Sequence, residues 1–252
     1  MAGTGASEVV TVFGRMPVLE ALDDDRVAVR RVLVARTARG DSVDDILAAA
    51  ARRGLKVTRV APEKVTRISG NGRHDQGVVA EVAAPALEDL EAWLARLGPG
   101  APASVVLLDG VTNPANVGMI VRTVTAAGLH GLVLPQAGSP EVGPLVIKAS
   151  AGVAFDAAIQ RCPTALAGVE ALAAAGFAVY GLRGDDATTI YDTELADRAV
   201  FVLGNETVGV SPVVAERVGT WLSLPLHNGV ESLNVASAAA VVAYELVRRR
   251  LT

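Results

Sequence analysis

The chain has 252 residues, of which 51% are hydrophobic and 20% are charged, so a substantial buried core is expected. Its single cysteine, Cys162, excludes an internal disulfide, and with His74, His130 and His227 scattered along the chain no metal site is expected. Residues 1–10 do not have the form of a signal peptide, and no apolar run is long enough to cross a membrane. We therefore expect a soluble, cytoplasmic protein.

The formal net charge of −4 does not by itself indicate a nucleic-acid-binding protein, but the charge is unevenly distributed. Residues 1–84 contain 13 Lys and Arg against 11 Asp and Glu, whereas the remaining residues contain 10 against 16. If the partner is a polyanion, its first contact is therefore expected in the N-terminal third. A solvated surface of mixed charge would produce the same asymmetry.

The first third of the chain alternates short β-like runs with helical ones, which predicts a small α/β domain over residues 8–84. Ser42 and Asp45 resemble a capping box and predict the start of the second helix, and Gly54 predicts its end. The predicted strands are 9–13, 31–35, 55–60 and 77–83, and the predicted helices are 16–22 and 43–53.

Residues 85–103 contain Pro85, Pro99 and Pro102 on either side of a short helical run that carries Trp93. Prolines and glycines at this density interrupt regular structure. We therefore predict that this segment is a linker between two domains.

From residue 104 onward strands and helices alternate, which predicts an α/β domain over 104–252 with a mostly parallel sheet and helices on both faces. Gly128 and Gly176 stand where helices should end. Ligands of such sheets bind beyond the carboxyl ends of the strands, so the polar loops after residues 108, 203 and 224 are the expected site. The predicted strands are 104–108, 131–134, 153–158, 177–182, 199–203 and 220–224, and the predicted helices are 115–127, 144–151, 164–175, 211–217 and 232–250.

The first of these loops leads into a helix, with the sequence LLDGVTNPANVGMIVRT at 107–123. Asn113 and Asn116 fit turn and cap positions, which is a purely structural explanation. Arg122 is harder to explain in this way, because apolar residues surround it and an arginine in such a setting usually binds an anion.

The second loop, LGNETVGVS at 203–211, follows an apolar strand, and Gly204 and Gly209 would let its backbone approach a ligand closely. Glu206 and the lack of a Gly-Lys-Ser/Thr ending argue against a phosphate loop, so a neutral or cationic ligand fits better. No G-x-G-x-x-G follows a strand, which argues against an ordinary dinucleotide site. A glycine turn that leads into a capped helix is the structural alternative.

The third loop, over 222–234, precedes a helix of small residues. Ser232 is the predicted N-cap and Asn234 lies in the predicted first turn, positions that capping explains as well as catalysis does. His227 has no partners for a nucleophile–base arrangement and is interpreted as a loop residue. The small residues of the helix at 235–250 permit close packing within the fold or against another subunit.

Taken together, the three loops resemble the three ordered motifs of the SpoU/TrmH family of RNA ribose 2′-O-methyltransferases over about residues 104–250. The N-terminal segment resembles, more loosely, the L30e-like RNA-binding domain that often precedes this catalytic domain, through FGRMPVLEAL at 13–22 and HDQGVVAEV at 74–82. The motif residues are Asn113, Pro114, Asn116, Gly118, Ile120, Arg122 and Thr123; then Gly204, Asn205, Glu206, Gly209 and Ser211; and then Leu224, Pro225, Leu226, Ser232, Leu233, Asn234 and Val235.

The resemblance implies a C-terminal trefoil knot, an obligate homodimer with an active site built across the interface, and S-adenosylmethionine as the cofactor. It implies that the cofactor is held by Leu203, Gly204, Leu224, Leu226, Leu233 and Asn234. It implies that the target ribose is surrounded by Asn116, Arg122, Glu206, Ser232 and Asn234. The arginine either helps to deprotonate the 2′-hydroxyl or clamps the adjacent phosphate, and the second role suits a guanidinium that is always protonated.

We expect the substrate to be RNA, and 23S rRNA in particular, because members of the family that act on tRNA usually lack a separate N-terminal domain. Two alternatives stay open: the same methyl transfer on tRNA, and a non-catalytic RNA-binding or ribosome-assembly protein on the same fold. The second is disfavoured because a degenerate site is expected to have lost some of Arg122, Glu206, Ser232 and Asn234.

Overall fold

The computed structural model of the chain describes residues 9–184 and 188–251. Residues 1–8, which hold most of the stretch used for the signal-peptide prediction and the first residue of the predicted N-terminal domain, lie outside it. The chain divides into two compact units: the described residues up to Pro85 together with Val142–Asp156, and Ala86–Glu141 together with the described residues from Ala157 onward. No described helix combines the length and the apolar character needed to cross a bilayer.

Strands and helices alternate along both units. In chain order the strands are β1 (Val9–Phe13), β2 (Val29–Ala35), β3 (Val57–Val60), β4 (Val78–Ala83), β5 (Leu87–Asp89), β6 (Ala103–Asp109), β7 (Gly131–Pro135), β8 (Ile159–Cys162), β9 (Ala178–Leu182), β10 (Thr188–Thr189), β11 (Arg198–Gly204) and β12 (Thr220–Ser223). The helices are α1 (Arg15–Asp23), α2 (Asp41–Arg52), α3 (Pro62–Ser69), α4 (Leu90–Leu97), α5 (Pro114–Ala126), α6 (Pro144–Ala149), α7 (Ala165–Ala174), α8 (Pro212–Ala215) and α9 (Val235–Leu251), and a 3-10 turn lies at Val153–Phe155.

The first unit is built on a mixed four-stranded sheet with the order β1-β4-β2-β3. Strand β4 is antiparallel to both β1 and β2, and β3 is parallel to β2. Apolar residues of the strands and of α1 and α2 form its core, in which Val32, Val34 and Ile46 are fully buried. The predicted small α/β unit is therefore present, with strands where the alternating apolar pattern places them.

Two features of the first unit differ from the prediction. Helix α2 begins at Asp41 after Gly40, whose φ is 103°, and the Ser42 hydroxyl accepts a hydrogen bond from Arg15 Nη1 (3.1 Å) instead of capping the helix. The predicted capping box is wrong because a glycine makes the bend that leads into the helix. Helix α3 has no counterpart in the prediction, since it is short and mostly polar and Val65 is its one fully buried residue.

The second unit is built on an eight-stranded sheet with the order β10-β12-β9-β11-β6-β7-β8-β5. Every pairing in it is parallel. All seven residues of β6 are buried, as expected for a central strand of a sheet that is covered on both faces. The predicted α/β class with a mostly parallel sheet is confirmed.

Residues 85–103 do not form a linker in the structure. They contain β5, which adds to the second unit's sheet beside β8, and α4, whose Trp93 is buried with its ring centroid 6.2 Å from that of Phe177. The Asp89 carboxylate caps α4 by accepting a hydrogen bond from the Glu91 amide (3.0 Å). The prolines flank this strand–helix pair without preventing it, so the linker prediction is corrected.

The segment between β7 and β8 also departs from the prediction. A strand is predicted at 153–158, whereas a 3-10 turn lies at Val153–Phe155 and the strand begins at Ile159. The Phe155 side chain packs against the core of the first unit, which explains an apolar run that does not form a strand. This segment therefore belongs structurally to the first unit although it lies in the second half of the chain.

A buried carboxylate ties α9 to the chain segment that precedes β11. Glu245, with 3% of its side chain exposed, accepts hydrogen bonds from Arg248 Nε (2.8 Å) and Arg249 Nε (2.6 Å). Arg249 Nη1 also donates to the Thr193 carbonyl (2.7 Å). The hydrogen bond from Arg248 lowers the pKa of Glu245 most, and with that from Arg249 it outweighs the effect of burial and brings the pKa to about 2.

Because the folded-state pKa of Glu245 is depressed, its carboxylate stabilises the protein above its ordinary pKa of 4.5, and this contribution disappears as the pH falls toward about 2. We expect Glu245→Gln to lower the free energy of unfolding at pH 7 by on the order of 1–3 kcal/mol and to differ little from the wild type near pH 2. Urea denaturation at both pH values measures this. Glu170→Gln, which breaks an exposed pair with Arg217, is the control and should have a small effect. A Glu245→Gln effect that is independent of pH would contradict the assignment.

Candidate functional site

The carboxyl ends of β6, β11 and β12 lie at one edge of the eight-stranded sheet. Gly204, at the end of β11, is in register with Asp109 at the end of β6, and only β9 lies between β11 and β12. The three polar loops that follow these strands therefore meet, as their placement at strand ends predicts.

Hydrogen bonds join the first loop to the second. Asn205 Nδ2 donates to the carbonyl of Gly110 (2.9 Å), and Asp109 Oδ2 accepts from the backbone amide of Ser211 (2.7 Å). Because Asp109 is buried, its carboxylate fixes the far end of the second loop against β6.

The second loop closes on itself through its backbone. The Asn205 amide donates to the Gly209 carbonyl (3.0 Å), and the Gly209 amide donates to the Asn205 carbonyl (2.9 Å). Gly204 lies so near this closed loop that a Cβ there would be 2.1 Å from the carbonyl carbon of Gly209. Only glycine fits at position 204, and the reason is close backbone packing.

One side chain from each loop joins a single hydrogen-bonded chain. Asn234 Nδ2 donates to Asn116 Oδ1 (3.2 Å), and Asn116 Nδ2 in turn donates to a carboxylate oxygen of Glu206. Asn116 is buried, whereas Glu206 and Asn234 are exposed. Three of the five predicted substrate-side residues are thus held together, with the buried Asn116 between two exposed side chains.

The N-cap of α9 is Asn234 and not Ser232. The helix begins at Val235, and Asn234 Oδ1 accepts from the amides of Ala236 (2.9 Å) and Ser237 (3.4 Å). The predicted N-cap is therefore two residues too early, and the helix predicted at 232–250 begins at Val235, because the Asn234 amide side chain supplies the cap. This capping bond also fixes which end of the Asn234 amide faces the other two loops.

A cavity of about 620 Å³, within the size range of small-molecule sites, is lined by the second and third loops and by the segment that follows β9. Of the six residues expected to hold a cofactor, five line it, and Asn234 does not. The lining includes Leu182, Arg183, Gly184, Leu203, Gly204, Asn205, Glu206, Trp221, Leu224, Leu226, Glu231, Ser232 and Leu233.

The sequence prediction missed the wall that follows β9. There the Arg183 guanidinium carbon lies 5.4 Å from the ring centroid of Trp221, and a Cβ on Gly184 would lie 2.6 Å from the Glu231 carbonyl oxygen. A signal for this wall is present, since β9 is a further parallel strand with a glycine just after its carboxyl end.

The cavity combines apolar walls with charges of both signs. Glu206 and Glu231 bring carboxylates to it, and Arg183 brings a guanidinium, while leucines and Trp221 supply flat or branched apolar surface. This lining suits a ligand that carries an apolar ring system together with positive and negative groups.

Arg122 does not join the hydrogen-bonded group within its own chain. It is exposed on α5, six residues beyond Asn116, a separation of about 9 Å along the helix axis. In the described part of the chain its guanidinium has no hydrogen-bond or ion-pair partner. Its charge is therefore available to a ligand or to a second molecule.

The remaining chemically reactive groups do not join this site. His227 is an exposed loop residue whose carbonyl accepts from the Val230 amide (3.2 Å). Within residues 9–184 and 188–251, no group of three or more His, Cys, Asp and Glu could hold a metal ion. Burial raises the pKa of the Cys162 thiol to about 11, so this thiol is not a nucleophile at neutral pH.

Two family models match the chain. The model of the SpoU rRNA Methylase family matches residues 103–244, a range that contains all three loops. A model described as RNA 2′-O ribose methyltransferase substrate binding matches residues 11–87.

Two of the following similar proteins cover nearly the whole chain, and the third covers part of it. An uncharacterized tRNA/rRNA methyltransferase of Mycolicibacterium smegmatis is 34% identical over 250 residues, which is 99% of this chain and 79% of that protein. The SpoU methyltransferase AviRb from Streptomyces viridochromogenes, solved in complex with AdoMet, is 27% identical with a TM-score of 0.73, over 96% of this chain and 90% of its own. A structure solved to study the 2-OH methylation of C/U34 on tRNA is 26% identical with a TM-score of 0.53, over 60% of this chain and 97% of its own.

Proposed function

The chain belongs to the SpoU rRNA methylase family, and from this membership we propose that it transfers a methyl group from S-adenosylmethionine to a ribose 2′-hydroxyl of 23S rRNA. The observation that carries the proposal is the hydrogen-bonded group of Asn116, Glu206 and Asn234 beside the cavity. A cofactor in the cavity and a nucleotide at this polar group would then be neighbours, which is what a transfer reaction needs.

The cavity fits S-adenosylmethionine in shape and in charge. At Gly184 and Gly204 any Cβ would meet backbone, so glycine lets the backbone segments that form the walls pack closely together. The leucines at 203, 224, 226 and 233 would cover the adenine and ribose, while Glu206 and Glu231 offset the positive charge of a sulfonium. When bound, the cofactor supplies a methyl group on a sulfonium, which is activated for displacement by an oxygen nucleophile.

On the substrate side, the protein's part is to orient the ribose hydroxyl and to stabilise negative charge on its oxygen. The amides of Asn116 and Asn234 are fixed in orientation by the cap of α9, so their placement needs no rearrangement during the reaction. We assign Arg122 to the phosphate next to the ribose and to the developing alkoxide. A guanidinium is effectively always protonated, which makes it a poor base and a good anion clamp.

We propose that Arg122 acts from a second copy of the chain. Arg122 lies on α5 next to exposed Met119, and α9, which packs on α5, exposes Tyr244. Exposed apolar side chains on two adjoining helices are typical of a subunit interface. A homodimer through this face would bring each Arg122 toward the partner's loops. We also propose that the C-terminal segment forms the trefoil knot that the resemblance implies.

The choice of rRNA over tRNA is supported by the extent of the similarities. The structure solved to study tRNA methylation corresponds to 60% of this chain, whereas a substrate-binding family model matches residues 11–87 of it. A non-catalytic role is disfavoured because Asn116, Glu206 and Asn234 are joined in one network.

The test is methylation of deproteinised 23S rRNA with labelled S-adenosylmethionine, followed by digestion to nucleosides and mass spectrometry. We expect one labelled 2′-O-methylnucleoside and none with the Asn234→Ala variant. A label on a base would contradict ribose specificity, and a label on tRNA but not on 23S rRNA would favour the tRNA alternative. No label on either RNA would favour the non-catalytic role.

A further inference from the structure

Two groups of arginines in the first unit differ in their partners. One group is neutralised by carboxylates. Arg26 pairs with Asp24 and Asp156, Arg31 with Glu81, and Arg52 with Asp23. Arginines paired in this way contribute little to an external electrostatic field.

The second group surrounds the turn that follows β2, and three of its members donate to backbone carbonyls. Arg59 Nη1 donates to the carbonyls of Ala35 (3.1 Å) and Ala38 (3.0 Å). Arg39 Nη1 donates to the same Ala38 carbonyl (2.9 Å) and to the carbonyl of Arg36. A carbonyl holds a guanidinium in place without cancelling its charge, so these side chains are both oriented and positive.

The loop over residues 70–77 of the first unit packs against this turn. The Ala35 amide donates to the Gly77 carbonyl (2.8 Å). The Asp75 carboxylate is buried and accepts hydrogen bonds from Thr66 Oγ1 (3.0 Å) and the Gly77 amide (2.8 Å). Its negative charge is therefore satisfied by hydrogen bonds within the first unit. Arg73 is exposed on this loop.

Arg15 completes the cluster. Its Nε donates to the Gln76 carbonyl (3.4 Å) and its Nη1 to Ser42 Oγ (3.1 Å), which places it between the two loops. Among the described residues, neither Arg36 nor Arg73 has a hydrogen bond or ion pair through its side chain. We call these five residues the arginine edge: Arg15, Arg36, Arg39, Arg59 and Arg73. The exposed Asp41, which directly follows the turn, leaves a clear excess of positive charge.

We propose that the arginine edge binds the phosphate backbone of a folded RNA. The proposal rests on the proposed function, and it names the surface of the first unit that holds the substrate. Three guanidiniums held by hydrogen bonds (Arg15, Arg39 and Arg59) and two exposed ones are spread along two loops, which matches a ligand that carries phosphates at regular intervals. Phosphate contacts of this kind position an RNA without reading its sequence, so the arginine edge sets affinity and not the choice of nucleotide.

The triple variant Arg36→Gln, Arg39→Gln and Arg73→Gln tests the arginine edge in the full chain. The probe is a labelled RNA hairpin, and its affinity is measured by filter binding over a range of salt concentrations. We expect affinity at moderate salt to fall about 10- to 100-fold and the slope of log K against log salt to decrease by about 2 to 3. The matched control is Arg52→Gln, which removes a paired arginine of the same unit and should change neither quantity.

A triple variant that binds the hairpin like Arg52→Gln would overturn the proposal. Thermal unfolding checks that the variants remain folded. If the triple variant is unfolded, the double variant Arg36→Gln and Arg73→Gln replaces it, and its slope should fall by about 1 to 2. Because phosphate binding does not depend on sequence, the hairpin result stands apart from methylation. A wild type that binds RNA through the arginine edge but methylates none would overturn the proposed function alone.

Discussion

Replacing Arg122 with alanine is expected to lower methyl transfer by roughly 100- to 1,000-fold while leaving the fold and cofactor binding intact. The side chain is exposed and has no hydrogen bond or ion pair to lose within residues 9–184 and 188–251, so its removal should cost little stability. It also lies outside the cavity lining, so the affinity for S-adenosylmethionine should be unchanged. The measurements are single-turnover methylation of 23S rRNA, thermal unfolding and cofactor titration. Arg217→Ala, at an exposed arginine of the same unit, is the matched control.

Co-expression distinguishes an Arg122 that acts in its own chain from one that acts in a partner. The Arg122→Ala and Asn234→Ala variants should each be inactive. If the site is shared between subunits, a mixed dimer contains one complete site, and activity returns when the two variants are produced together. Continued inactivity in verified mixed dimers would contradict the shared site.

Loss of cofactor binding in the Arg122→Ala variant would contradict the role of the arginine as an anion clamp.

Gly204→Val is expected to abolish cofactor binding. Any Cβ at this position would lie 2.1 Å from the Gly209 carbonyl carbon and 2.2 Å from the Val210 nitrogen, both of them backbone atoms that cannot rotate away. The second loop would have to open, and the backbone pair between Asn205 and Gly209 would be lost. We expect the affinity for S-adenosylmethionine, measured by equilibrium dialysis, to fall by about 100-fold or more.

Gly219→Ala is the control for this variant. A Cβ at Gly219 would have its nearest neighbour at 3.6 Å, in ordinary contact, so folding and cofactor affinity should both be retained. Circular dichroism and thermal unfolding would show whether Gly204→Val keeps its fold. A folded Gly204→Val protein with wild-type affinity would show that the cofactor does not depend on this loop.

The convergence of the three loops could be predicted because it depends on one property of parallel sheets. Each loop follows a strand, and the carboxyl ends of parallel strands share one edge, so Asn116, Glu206 and Asn234 had to be near one another. The same rule applies to the cavity wall formed by Arg183 and Trp221, since Arg183 follows the carboxyl end of β9. No sequence motif for ligand binding identifies that wall, so it was not predicted.

The errors in the prediction come from residues whose local pattern is ambiguous. Prolines around α4 predict a linker, yet Trp93 and Leu90 bury that helix against the sheet, and burial outweighs composition. Serine is a common N-cap, which favoured Ser232, but Asn234 forms the capping bonds. The place of Arg122 outside the hydrogen-bonded group was not predicted, and the structure shows why: Arg122 lies six residues beyond Asn116 on α5, about 9 Å along the helix axis.

Calorimetric titration of the full chain with S-adenosylmethionine is the most direct test, since every later step requires the methyl donor in the cavity lined by the second and third loops. We expect saturable binding of one molecule per chain, with micromolar affinity by order of magnitude, about −8 kcal/mol. We also expect a Trp221→Ala variant, altered in the wall of the cavity, to bind more weakly. An absence of binding heat at millimolar cofactor, in a folded sample, would contradict the account.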